Sequence, residues 1–145
     1  MENFIFVLIG MLFLLLFIFS VSIIHLRSIR DDINIRWYNI VEKLQYRQDL
    51  IPNLIETARL KIPHDELNNH KKLIQDTIEV RERAARNNNP GSQKISVEHN
   101  LSQHINQIFN LGAKYNELGR YVNYLELNKD FGDLRGEIEK MTNEY

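Results

Sequence analysis

Apolar and polar positions divide the chain into an uninterrupted apolar run and a long region of helical periodicity. From Phe4 to Ile24, "FIFVLIGMLFLLLFIFSVSII" carries no charge. About 20 apolar residues at ~1.5 Å rise cover the ~30 Å hydrocarbon core of a bilayer. Beyond it the apolar residues recur every three or four positions. Between Arg27 and Leu60 the stripe is Trp37, Val41, Leu44, Ile51, Ile55 and Ala58, with Gln48 as a polar exception and Ile33, Ile40 and Leu54 widening it. A stripe that wide suits one face of a bundle. No loop residues separate it from the apolar run, so one long helix is expected to contain both.

Pro63 in "KIPHDEL" ends that segment, and Asp65 is expected to cap a second helix over Glu66 to Arg86, facing inward through Leu67, Ile74, Ile78 and Ala85. The loop "NNNPGSQK" follows. Ser96 is expected to cap a third helix carrying Leu101, Ile105, Ile108 and Phe109 inward and ending near Gly112 and "YNELGR". A last helix from Arg120 keeps Leu127, Phe131, Leu134, Ile138, Met141 and Tyr145 on one seam, with Gly132 and Gly136 off it as candidate points of close helix approach. Strand signals are nearly absent. The pattern predicts an all-α chain: an N-terminal transmembrane helix over 1–26 and an antiparallel bundle of about four helices over 27–145.

Composition narrows the function classes. With 18 basic and 19 acidic residues, net charge −1 and a pI near 6.5, no basic surface for nucleic acid is indicated. The chain has no cysteine, which removes disulfides, thiol catalysis, Cys-ligated zinc and an acylated lipoprotein cysteine. A cleaved signal peptide fits poorly: only Glu2 stands before the run, no basic n-region precedes it, and no A-x-A-like site follows. Arg27, Arg30 and Arg36 follow the run and no Lys or Arg precedes it, so the positive-inside rule predicts a cytoplasmic C-terminal domain.

Pro52, in "YRQDLIPNLIETAR", stands in the middle of the first bundle helix. It has no N–H for the Gln48 carbonyl, and its ring crowds that oxygen, a cost of ~3 kcal/mol in a helix interior. A break capped by Asp49 and a kink within a continuous helix are the two geometries. The stripe stays in phase from Leu44 through Ile51 to Ala58, which favours the continuous helix. The freed carbonyl is then open to a donor, with Asn53 or a partner as the expected source. Arg47, Asp49, Pro52, Asn53 and Glu56 are the candidate interaction residues.

The string Trp37 to Ala58, with "DLIPNL" at its centre, resembles the signature of the LemA family of bacterial membrane-anchored proteins. Similarity continues through His64-Asp65, Arg81 to Ala85, "LSQHINQIF" with Tyr115 to Leu118, and Asn123 to Tyr145, covering nearly the whole chain with its N-terminal span. The resemblance implies a helical bundle on a single-pass anchor in the bacterial inner membrane, N-terminus outside, and implies no established enzymatic activity. Leu60 and Lys61 depart from the glycine-aromatic pair usual after the motif, and Pro63 is unusual before the histidine. Family members also extend the last helix by several turns, so part of the first helix's apolar face is expected to lack cover here.

No catalytic or metal-binding constellation assembles. His64 and His70 are six apart and His99 and His104 five, whereas helical ligand pairs want three or four. No cofactor is expected. Trp37 lies ~20 Å beyond the span's end at ~1.5 Å per residue, which points to bundle core rather than the lipid headgroups. The expected function is therefore that of a membrane-anchored, non-enzymatic interaction scaffold. Its expected partners are membrane lipid around the N-terminal helix and a protein partner or a second copy. The alternative is a membrane-bound sensor or enzyme component with its site at the DLIPNL kink.

Overall fold

In the computed structural model the described residues run from 2 to 144, with side chains described from Phe6 onward. They form α1 (Glu2–Lys61), α2 (His64–Arg86), α3 (Ser92–Lys114), the single turn α4 (Asn116–Gly119) and α5 (Val122–Glu144), with no strand among them. The chain falls into two compact units, 1–38 and 39–145.

The first unit is helix α1 up to Tyr38. Its apolar side chains are exposed from Phe6 through Ile24 and on through Leu26, Ile29 and Ile33. Trp37 is only half-buried, not a core residue, and Ile33 is 40% exposed, so the buried stripe begins at Ile40. Among the described residues α1 is the one helix long and apolar enough to cross a membrane, with a mean hydropathy of 3.0 in its apolar window.

In the second unit, the rest of α1, α2, α3 and α5 run alternately up and down. Asn123 near the start of α5 meets Thr57 on α1, and Glu137 near its end meets Lys43. Lys94 at the start of α3 reaches Ala84 near the end of α2, and Lys114 at the end of α3 reaches Glu66 near the start of α2. The core is built from Ile51, Leu54, Ile55, Ala58, Ile74, Val80, Leu101, Ile105, Ile108, Leu118, Leu127 and Phe131, each nearly inaccessible. At ~25 cal/mol per Å² of buried apolar surface, the interlocked seams stabilise the bundle far more than helix propensity does.

Helix ends differ from expectation. Pro63 occupies the N-cap of α2, where its carbonyl accepts from the N–H groups of Glu66 and Leu67, and Asp65 sits inside the first turn. Helix α3 starts four residues before Ser96, with Gly91 at its N-cap. Gly91 has φ 150° and ψ 171°, backbone territory that belongs to glycine. On α2 the buried residues are Ile74, Thr77, Val80 and Ala84, so Ala85 faces outward and Leu67 and Ile78 lie at the margin. On α5 the seam is buried from Tyr124 to Leu134, Ile138 and Met141 are partly covered, and Tyr145 lies outside the described residues.

The close approach comes at other glycines than those expected. Gly132 and Gly136 face open space. At Gly112, a Cβ would stand 2.6 Å from Cε1 of Tyr124, whose hydroxyl donates to the Phe109 carbonyl and accepts from the Gly112 N–H at 3.2 Å. Gly119 packs against the Gly112 carbonyl. This tyrosine and two glycines fold the end of α3 and the α4 turn tightly against α5.

Candidate functional site

Helix α1 runs through Pro52 without a break, as the in-phase stripe requires. The Gln48 carbonyl is taken by Arg81 of α2, whose Nε–H donates to it at 2.7 Å. The donor is therefore neither Asn53 nor a separate molecule. Arg81 also places Nη2 3.8 Å from Asp49, which is 74% exposed, so the ion pair is long and solvent-screened.

The remaining motif residues divide between core and surface. Asn53 accepts from Asn123 Nδ2 at 3.2 Å, and Asn123 also donates to the buried Thr57 hydroxyl, tying α5 to α1. Glu56 pairs with Arg59 at the surface. Arg47 is buried, and its Nη2 lies 2.5 Å from Glu98 Oε2 while Nη1 donates to Ser102.

Arg47 belongs to a buried charge cluster that sequence reasoning missed. Glu98 Oε1 accepts from Gln48 Nε2 and Lys94 Nζ, each at 2.8 Å, and Glu98 Oε2 accepts from Arg47. Lys94 completes its three donors on Ala84 O and Asn88 Oδ1. Ala84 O is one of the last carbonyls of α2, which have no partner within the helix, so Lys94 also closes that end. The signal was present in the register. Positions 94, 98, 101, 105 and 108 continue one 4-3-4-3 seam, and 44, 48, 51 and 55 a 4-3-4 seam with Arg47 beside it, so polar and charged residues were standing in apolar slots.

A second polar group lies where α2 begins and α3 ends. The buried Tyr115 donates its hydroxyl to Glu66 Oε2 at 2.6 Å and accepts from Lys114 Nζ at 2.8 Å. With that proton committed, His70 Nε2, 2.8 Å away, must be a donor. The hydrogen bond from Lys114, then that from Tyr115, holds the Glu66 carboxyl below its usual range, and Glu66 in turn pushes Lys114 up to about 12. At the surface, the hydrogen bond and charge of Glu137 raise Lys43. Burial pushes the Tyr124 hydroxyl up against a smaller opposing effect of the Gly112 N–H. The histidines are dispersed: His99 bonds Gln103, and His104 bonds the Asn100 carbonyl. Among the described residues no group of His, Cys, Asp or Glu could hold a metal ion.

An up-down bundle with charges built into its seams, continuous with an apolar helix, defines a class of helical protein. The chain belongs to the LemA family, whose profile matches residues 36–145. The apolar run precedes the matched region. No curated protein and no solved structure matches.

Proposed function

We propose that the protein is a membrane-tethered scaffold of the LemA type, single-pass in the bacterial inner membrane, with its bundle on the cytoplasmic side and no chemistry of its own. The observation that carries this reading is the exposed apolar surface from Phe6 to Ile24, on the same helix whose later residues enter the bundle core. Exposed apolar surface of that length is covered at least cost by lipid. Engagement of Asn53 and the Gln48 carbonyl within the bundle favours a scaffold over a sensor or enzyme with its site at the DLIPNL kink. The bundle's charged outer faces then meet a protein partner or a second copy.

Membrane-embedded cross-linking with mass spectrometry tests the tether and the partner together. The expected result is a carbonate-resistant membrane protein that cross-links to a defined partner or to itself. A chain recovered without detergent, or one that cross-links to nothing, would overturn the reading. Orientation is read separately, since the chain has no cysteine. An Asn143→Cys variant should resist a membrane-impermeant maleimide in intact cells, and labelling there reverses the orientation.

A further inference from the structure

Between α1, α3 and α5 the bundle leaves a cleft of about 160 Å³. That is roughly the size of a ~150 Å³ cavity that holds one benzene ring. Ile105 and Phe131 are buried at its floor and Phe109 is half-buried. Arg47 and Ser102 line it on the inner side, and the exposed Asn106, Asn128, Gly132 and Arg135 complete its lining.

Three observations set the charge of an occupant. Arg47 is 7% exposed, and with Nη1 on Ser102 and Nη2 on Glu98 its Nε meets no acceptor, so a buried guanidinium keeps one unengaged donor. The cluster behind it sets two cations, Arg47 and Lys94, against the single carboxylate of Glu98. Arg135 enters no ion pair among the described residues, and no acidic side chain lines the cleft. Space is kept by Gly132, where a Cβ would meet nothing within 4 Å. Glycine is disfavoured in a helix interior, and here it holds one wall back.

We propose that this cleft binds a small organic carboxylate, with the carboxylate on the exposed Arg135 guanidinium, the buried charge of Arg47 behind it, and a ring or branched alkyl body against Ile105, Phe109 and Phe131. Arg135 is suited to this pairing because its planar fork, in no ion pair among the described residues, matches a carboxylate edge. The carboxamides of Asn106 and Asn128 supply further donors at the rim. A ligand of this kind would make the scaffold responsive to a metabolite, a role beyond tethering.

The test uses the full chain in lipid nanodiscs, with saturation-transfer NMR of benzoate and protein-free nanodiscs subtracted. Benzoate should bind saturably. Arg135→Glu should weaken it at least tenfold, and Gly132→Leu, which fills the cleft, should abolish it. Both positions are exposed, and an unchanged unfolding midpoint shows that each variant keeps the fold. Benzyl alcohol should bind at least tenfold more weakly than benzoate, and inorganic phosphate at equal concentration should not displace it. The proposal is overturned by benzoate that does not saturate, by binding indifferent to both substitutions, by benzyl alcohol binding as tightly, or by phosphate displacing benzoate.

Discussion

Arg81 donates its Nε–H to the Gln48 carbonyl at 2.7 Å, the oxygen that Pro52, four residues later, has no N–H to meet. A local defect in α1 thus becomes a joint between α1 and α2. An unpaired polar group that is buried costs ~1–3 kcal/mol, so the arginine offsets much of the proline's penalty. The two residues should be energetically coupled. Arg81→Ala is expected to destabilise the wild-type bundle by about 1–2 kcal/mol and to do much less in a Pro52→Ala background, where the residue 52 N–H takes the carbonyl. Urea unfolding of the two single variants and the double variant measures this, and additive effects would show that the joint carries no energy.

Among the described residues, Glu98 is the one acidic side chain paired with Arg47 and with Lys94. Glu98→Ala leaves Arg47 and Lys94 buried without it, and breaking a buried pair from one side costs ~3–5 kcal/mol. The expected readout is a large drop in the denaturant midpoint. Glu56→Ala, which removes an exposed pair, should change stability by less than ~0.5 kcal/mol.

Gly112 leaves the room that the Tyr124 ring occupies. Gly112→Ala places a methyl 2.6 Å from the buried ring, which must move, and overpacking of this kind costs ~1–3 kcal/mol. Tyr124→Phe keeps the ring and removes the hydroxyl from Phe109 O and the Gly112 N–H, so a loss of about 1 kcal/mol is expected. Thermal melts of the two variants compare shape against hydrogen bonding.

The Glu66–Lys114–Tyr115 group has a defined pH window. Glu66 is depressed below its ordinary value of 4.5, so its contribution is present above that pH and disappears as pH falls through the lower folded value. Lys114 is raised from 10.5 to about 12, so its contribution is complete below 10.5 and is lost as pH rises through about 12. Both groups are exposed, so added salt should shrink the effect. Comparing wild type with Lys114→Met between pH 3 and pH 12 should show the difference only inside that window.

Much of the fold was legible because apolar residues in this chain keep helical phase. The α1 stripe from Leu44 to Ala58, the α5 seam and the continuous helix through Pro52 all follow from spacing alone. Caps were less legible, because Asp65 and Ser96 have the right chemistry for an N-cap while the backbone begins each helix earlier. The candidate site was half legible. Pro52 announces a free carbonyl by its own covalent structure, but Arg81 is thirty-three residues from Gln48 and only the antiparallel return of α2 brings it there. Glu98 and Lys94 were hidden by the habit of assigning charges to the outer face, although their phase put them inside.

The uneven charge count in the seam also bears on alignment. A helix that slides by one turn moves ~5.4 Å along its neighbours. Such a slip of α3 against α1 would carry Glu98 and Lys94 together past Arg47, leaving the arginine facing apolar side chains. Apolar seams of similar spacing tolerate that slip far better, so the ions act as a key that admits one axial setting. Replacing Arg47, Lys94 and Glu98 together with methionine or leucine should keep the helices while multiplying the amide cross-peaks in a heteronuclear spectrum. A single sharp set would show that the apolar teeth suffice. In the native chain, Arg47 and Glu98 hold α1 and α3 in one alignment and Lys94 ties α3 to the end of α2, a task that hydrophobic burial, being non-directional, performs poorly.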